Sequence, residues 1–288
     1  MGYLCSVIIK PKIFSLLTID MLYKKFNQFT GLLLAFLLVA ASCSDSNNDD
    51  SDLISEPDLY KLGEFTDNGL TVEAYSEAPL AVGYHKIFFE VHEEEVRVDQ
   101  ATFDFTPMMH MEAHSHASPY DVPDGSRDEA HELYHAWAIF TMPSGMMGSW
   151  ELQLTVQDGQ GRSAEGIIDI EVEQSNRVKT FMTDNEERFV LTWVEPQDPE
   201  VGMNDLVIAL HKRESMMNFP PAAGAVFGFE PWMPSMDHGS SNNVSPVHEE
   251  NGFYHGQVNF NMTGDWELRF EIELDGDDLG THIFELIF

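Results

Sequence analysis

Three methionines and three histidines are interleaved within residues 107–116, which have the sequence P-M-M-H-M-E-A-H-S-H. The thioether sulfur of methionine is a soft, uncharged ligand that favours Cu(I), and imidazole binds copper in either of its common oxidation states. Zinc prefers cysteine, histidine and carboxylate, so it gains little from methionine. This composition therefore predicts a copper site, with Cu(I) favoured. The alternative is that methionine fills a core and that the histidines lie on a polar loop.

A second stretch, residues 231–239, has the related sequence P-W-M-P-S-M-D-H-G. Each stretch follows a Phe-x-Phe segment and precedes a Tyr-His pair. At a constant offset, Met109 aligns with Met233 and His114 aligns with His238. We expect both stretches to be strand ends that run into loops, because a loop can wrap its donor atoms around one ion.

The repeated Tyr-His pairs add one histidine to each copy. Such a histidine could complete a metal site, or it could bond a carbonyl while the tyrosine caps the sheet. The histidines without a counterpart in the other copy are interpreted as surface residues: His85, His92, His131, His211, His248 and His282. The candidate metal ligands are Met108, Met109, Met111, His114, His116, His135, Met233, Met236, His238 and His255.

Internal repeats indicate the architecture. Alternation of apolar and polar residues in W-E-L-Q-L-T-V and W-E-L-R-F-E-I predicts half-buried strands, and no stretch has the pattern of a long amphipathic helix. We predict an all-β fold of two tandem Ig-like antiparallel β-sandwich domains, each with one buried tryptophan, Trp150 or Trp266. Three blocks recur in the same order: 103–114 with 227–238, 133–142 with 253–262, and 148–156 with 264–272.

The first 43 residues have the pattern of an export signal. A lysine-containing segment precedes the apolar run G-L-L-L-A-F-L-L-V-A, and A-A-S-C follows, which resembles the lipobox of a bacterial lipoprotein. We expect cleavage before Cys43, lipidation of Cys43, and translation from either Met1 or Met21. The predicted organisation is a signal peptide (1–43), a disordered acidic tether (44–60) and two sandwiches (61–175 and 176–288).

Composition excludes several functions. The formal net charge is −34, and nucleic-acid binding requires a basic face, so we expect no nucleic-acid partner. The sequence contains no nucleophile elbow, zinc-protease motif or Walker loop, so we expect no enzyme activity. Cleavage would leave Cys43 as the one cysteine, which excludes an intrachain disulfide and a thiolate metal site.

The second half resembles the YtkA-like family in three features: Met-Pro-x-Met-x-His-Gly, a strand that carries tyrosine, and G-x-W-E-L. The resemblance implies a small, exported, Ig-like sandwich that is often attached to a membrane and has a link to copper handling. The family motif falls on Met233, Pro234, Met236 and His238. The first half is similar to a divergent copy, in which Met108, Met111 and His114 take the nearest places.

Together these features predict a lipoprotein of the bacterial cell envelope, located in the periplasm or at the outer membrane. It would attach to the bilayer through acylated Cys43 and buffer or deliver copper, exchanging the ion with a copper donor or acceptor protein. The alternative is a β-sandwich module without metal, which binds other molecules or acts as a spacer in an envelope assembly.

Overall fold

The computed structural model describes residues 59–288, and every regular element in that range is a strand. The predicted all-β fold is therefore confirmed. No helix in this range is long and apolar enough to span a membrane. The predicted signal, Cys43 and nearly all of the predicted tether lie outside the described residues, and Tyr60, the last tether residue, already begins a strand.

The first nine strands form two antiparallel sheets, which we call the first sandwich. One sheet has the order β1-β2-β3-β4, with β7 also paired to β3, and the other has the order β6-β5-β8-β9. The strands are β1 (Tyr60–Asp67), β2 (Leu70–Ser76), β3 (Gly83–Glu93), β4 (Val96–Arg97), β5 (Ala101–His110), β6 (Ser115–Ala117), β7 (Tyr134–Phe140), β8 (Ser149–Asp158) and β9 (Ser163–Ile170).

The remaining nine strands form the second sandwich in the same manner. Its sheets have the orders β10-β11-β12-β16-β15 and β14-β13-β17-β18. The strands are β10 (Val178–Met182), β11 (Arg188–Glu195), β12 (Gly202–Arg213), β13 (Val226–Met233), β14 (His238–Gly239), β15 (Val244–His248), β16 (Phe253–Phe260), β17 (Asp265–Leu274) and β18 (Asp277–Ile287).

Each sandwich encloses its own apolar core. Along β8 and β17, every second residue is buried, as expected for a strand with one face against a core. Trp150 and Trp266 are fully buried in the two cores, in equivalent places. Burial of these large aromatic side chains stabilises each sandwich.

A smaller apolar cluster joins the two sandwiches. Ile139 of the first sandwich packs with Val207 and Ala209 of the second, and the ring of Trp137 meets the ring of Phe253 edge to face at 5.2 Å. The cluster covers the outer face of the β11–β12 pair, which would otherwise be in water. Its burial favours a fixed arrangement of the two sandwiches.

Candidate functional site

One methionine of each predicted stretch lies beside one histidine on the neighbouring strand. Met109 on β5 pairs with His116 on β6, and Met233 on β13 pairs with His238 on β14. The two methionines are 0% and 1% exposed and belong to the two cores. The same cross-strand pair therefore occurs at the same end of both sandwiches.

The two histidine rings are oriented in the same way. Nδ1 of His116 lies 2.7 Å from the carbonyl oxygen of Ala117, and Nδ1 of His238 lies 2.9 Å from that of Gly239. Because a carbonyl oxygen can only accept a hydrogen bond, Nδ1 donates, and in the neutral ring Nε2 keeps its lone pair. Within the described part of the chain, neither Nε2 has a hydrogen-bond partner. This orientation is the one that metal-binding histidines adopt.

The ring of a buried tryptophan packs against each of the two histidine rings. The ring of Trp150 meets that of His116 edge to face at 5.9 Å, and the ring of Trp266 meets that of His238 at 6.4 Å. The indole Nε1 of Trp150 donates to the Met142 carbonyl, and that of Trp266 donates to the Met262 carbonyl. Each tryptophan is thereby fixed in position.

A glycine leaves room for each buried methionine. Gly148 and Gly264 have φ values of 151° and 144°, and a Cβ atom at either would lie 2.9 Å from the methyl carbon of Met109 or Met233. The internal repeat of the sequence already marks these two glycines, because both precede the repeated Trp-Glu-Leu. Their link to the methionines depends on the pairing of distant strands, which local sequence does not indicate.

The structural counterpart of His238 is His116, whereas the constant sequence offset aligned His238 with His114. Six residues separate Met109 from His116, but four separate Met233 from His238. The longer turn in the first copy shifts the register after Met109, so His114 lies exposed on the turn. Alignment at a fixed offset could not detect a length change inside a turn.

Among the other predicted ligands, His114 has its ring centroid 6.4 Å from that of His116, whereas the methionines differ in burial and orientation. Met108 is buried but points to the opposite side of β5 from Met109, since successive residues of a strand alternate faces. Met111 is half-buried against the first core, and Met236 is 57% exposed. The Met236 amide donates to the Met233 carbonyl at 3.2 Å, so the three-residue methionine spacing forms a turn in which the Met236 side chain is exposed.

The histidines of the two Tyr-His pairs also lie elsewhere. Tyr134 and Tyr254 fill the cores, so His135 and His255 point to the outer faces of their sheets. The Tyr254 hydroxyl donates to the Ala222 carbonyl and accepts from the Ala225 amide. This bonding fits the structural alternative, in which the tyrosine caps the sheet.

The two methionine–histidine pairs differ in their surroundings. The loop after β12 crosses from the second sandwich to the first, where the Ala117 amide donates to the Met216 carbonyl at 2.8 Å. His116 is 6% exposed and burial lowers its pKa, an effect to which the nearby Arg213 charge adds. His238 is half-exposed. The histidine of the first pair is therefore covered, and the histidine of the second pair is partly open to solvent.

Comparison with solved structures finds 31 similar chains, including the following three. The chain is 9% identical to the Escherichia coli adhesin FdeC, with 78% of this chain and 65% of that chain covered and a TM-score of 0.23. It is 10% identical to the D00-D0 domain of intimin, with 75% of this chain and 100% of that chain covered and a TM-score of 0.22. It is 14% identical to the Bacteroides ovatus mixed-linkage glucan utilization locus protein SGBP-B, which was solved with a mixed-linkage heptasaccharide. That match covers 79% of this chain and 47% of that chain, with a TM-score of 0.19.

One protein-family model matches part of the second sandwich. No match is found among curated proteins. The chain spans 65% of the length of FdeC and 47% of that of SGBP-B. The resemblance of the first half to the same family stays a prediction. Residues 183–271, which include Met233 and His238, match the model of the YtkA-like family.

Proposed function

We propose that the protein binds copper at two sites, one at Met109 and His116 and one at Met233 and His238. The observation that carries this proposal is the repetition of the pair. Both copies combine a thioether with an imidazole on the neighbouring strand, and both fix the imidazole through Nδ1. One thioether and one imidazole suit Cu(I), which accepts soft ligands.

A site with so few protein ligands favours exchange of the ion over catalysis at it. A low-coordinate site leaves positions open for a ligand from another molecule, which suits buffering or delivery. We propose that the exchange partner is a copper donor or acceptor protein. The half-exposed His238 supports the second sandwich as the place of transfer.

The location in the cell envelope is part of the same proposal. The lipobox-like A-A-S-C predicts that acylated Cys43 anchors the chain, and the acidic residues after it give a solvated tether. Repulsion between the acidic chain and an anionic bilayer surface makes the acyl chains the main source of attachment. Copper buffering by an anchored protein would act close to the membrane.

A Cu(I) titration of the chain from residue 44 onward, against a competing chelator, tests the proposal. We expect two equivalents for the unchanged chain and one equivalent for His116→Ala or His238→Ala. His255→Ala is the matched control, since it removes an exposed histidine on the outer face of β16, and we expect it to keep both equivalents. Binding weaker than micromolar in the unchanged chain would contradict the proposal.

The alternative function is a sandwich module without metal. The observation in its favour is the complete burial of Met109 and Met233, which gives both side chains a packing role. Met109→Leu with Met233→Leu separates the two functions, because leucine fills a similar volume but offers no sulfur. Unchanged Cu(I) affinity in a stable double variant would favour the alternative.

A further inference from the structure

Three side chains that can ligate a metal meet on the outer face of the β1-β2-β3-β4 sheet, whereas the first methionine–histidine pair lies on the other sheet. Glu73 on β2 lies directly opposite Glu90 on β3, and His92 follows Glu90 by two residues, so all three point to the same face. One donor atom of each lies within 4.8 Å of the other two. Two carboxylates directly opposite each other repel unless a cation lies between or beside them.

The spacing of the donor atoms matches that of ligands around one ion. Nε2 of His92 lies 3.3 Å from Oε2 of Glu90 and 3.6 Å from Oε2 of Glu73. Nε2 is buried, and among the described residues it has no hydrogen-bond partner. Two ligands bound at tetrahedral angles to zinc, with bonds of about 2.0–2.1 Å, are about 3.3–3.4 Å apart.

Each carboxylate uses its other oxygen to hold a basic side chain. Oε1 of Glu73 lies 2.5 Å from the Lys61 ammonium, and Oε1 of Glu90 lies 3.4 Å from Arg97. These contacts leave both Oε2 atoms directed at His92, in the way that outer-shell partners orient metal ligands. Burial opposes ionisation of Glu73, but the Lys61 ammonium holds the pKa of its carboxyl below the ordinary value.

The second sandwich supplies an internal comparison for this cluster. Tyr134 pairs with Phe89 and Tyr254 pairs with Ile208, so His211 is the counterpart of His92, three residues further along each strand. The counterparts of Glu73 and Glu90 are Thr192 and Ala209, and all three residues of the second sandwich are buried. The carboxylates are therefore present where this face is open to water and absent where it is covered.

We propose that Glu73, Glu90 and His92 form a site for a divalent transition cation, with Zn²⁺ as its best probe. Two carboxylates and one imidazole are a donor set that zinc accepts, with the fourth position left to water. The side chains are about one fifth to one quarter exposed, so an ion can enter from solvent. The site contains no thioether and does not depend on the proposed copper sites.

Calorimetric titration of the chain from residue 44 onward with Zn²⁺ tests this proposal. We expect one equivalent for the unchanged chain, and at least a tenfold loss of affinity in His92→Gln and in Glu90→Gln. Glu95→Gln is the matched control, because it removes one exposed charge near the site and corrects for general attraction of Zn²⁺ to an acidic chain. The C2 proton of His92 should shift in the NMR spectrum over the same Zn²⁺ range.

Equal affinity in all three variants would overturn the proposal, since the binding would then be diffuse. The absence of Zn²⁺ binding by the unchanged chain would overturn it as well. Thermal melting without metal verifies that each variant is folded. Cu(I) titration of His92→Gln should still give two equivalents, so the outcome for zinc is independent of the outcome for copper.

Discussion

The outer faces of two equivalent strand pairs have opposite environments in this molecule. On β3 of the first sandwich, Glu90 and His92 are partly exposed, and Glu90 lies 3.4 Å from the Arg97 guanidinium. On β11 and β12 of the second, Ala209 and His211 are buried against the first sandwich. The core-facing sides of both pairs are similar and apolar.

This difference shows that burial of the outer face determines which chemistry it can perform. Carboxylates remain where water and basic side chains stabilise their charge, and a small apolar residue replaces one where the charge would be buried without a partner. The same histidine position is thereby a candidate metal ligand in one copy and a neutral aromatic contact in the other.

The largest expected effect comes from exchanging the residues of the two faces. Ala209→Glu places the first copy's carboxylate in the covered interface, and we expect the free energy of unfolding to fall by about 4 kcal/mol or more. The reciprocal Glu90→Ala removes a carboxylate opposite Glu73, and we expect a change within about 1 kcal/mol. Urea denaturation measures both.

Ala209→Gln separates charge from size in this exchange. Glutamine has nearly the same volume as glutamate but no charge. Ala209→Gln should therefore destabilise the protein less than Ala209→Glu at pH 7. Similar losses for Ala209→Glu and Glu90→Ala would contradict the comparison between the faces.

The next largest effect is a loss of folding stability at acidic pH. Burial lowers the pKa of His211 to about 4 from its ordinary value of 6.5. The unfolded chain therefore binds more protons than the folded chain between these values, and stability falls as the pH drops through this window. The shift corresponds to a loss of about 3 kcal/mol from pH 7 to pH 4.

His211→Phe tests this pH dependence, because phenylalanine fits the aromatic cluster with Trp137 and Phe253 and cannot bind a proton. Urea denaturation at pH 7 and pH 4.5 should show a smaller acid loss in this variant than in the unchanged chain. Equal acid sensitivity of His211→Phe and the unchanged chain would disprove the assignment.

A smaller contrast is expected between the two glycines at the methionine–histidine pairs. Gly148→Ala would place its Cβ against the carbonyl oxygen of His110, which is backbone, whereas Gly264→Ala would meet only the flexible end of Met233. Both residues also have a positive φ. We expect losses of about 3 kcal/mol for Gly148→Ala and about 1–2 kcal/mol for Gly264→Ala. Thermal melting should rank them in this order, and the reverse order would contradict it.

The smallest contrast concerns the two core tyrosines. The Tyr254 hydroxyl bonds both the Ala222 carbonyl and the Ala225 amide, while the Tyr134 hydroxyl has one long contact of 3.5 Å to Val98. We expect Tyr254→Phe to cost about 1–2 kcal/mol and Tyr134→Phe below about 0.5 kcal/mol, by chemical denaturation. Equal costs would show that the Tyr254 contacts add nothing to stability.

Strand alternation, the repeated blocks and the two tryptophans were sufficient to predict the all-β fold, because they depend on local periodicity. The counterpart of His238 was not predictable at a fixed offset, because a two-residue difference lies within the turn before His116. His211 was interpreted as a surface residue, and this was wrong: it is 2% exposed. Its burial comes from contact between the sandwiches, which alternation within one strand does not report.

The cluster that joins the sandwiches also limits the number of copies that can assemble in this way. Trp137 and Ile139 supply the first sandwich's side of the contact, and strand pairing places Gln257 and Asn259 at the equivalent positions of the second. A head-to-tail contact propagates into a fibre only if each unit carries both mating surfaces. The polar pair on the second sandwich therefore would not repeat this apolar contact with a further unit.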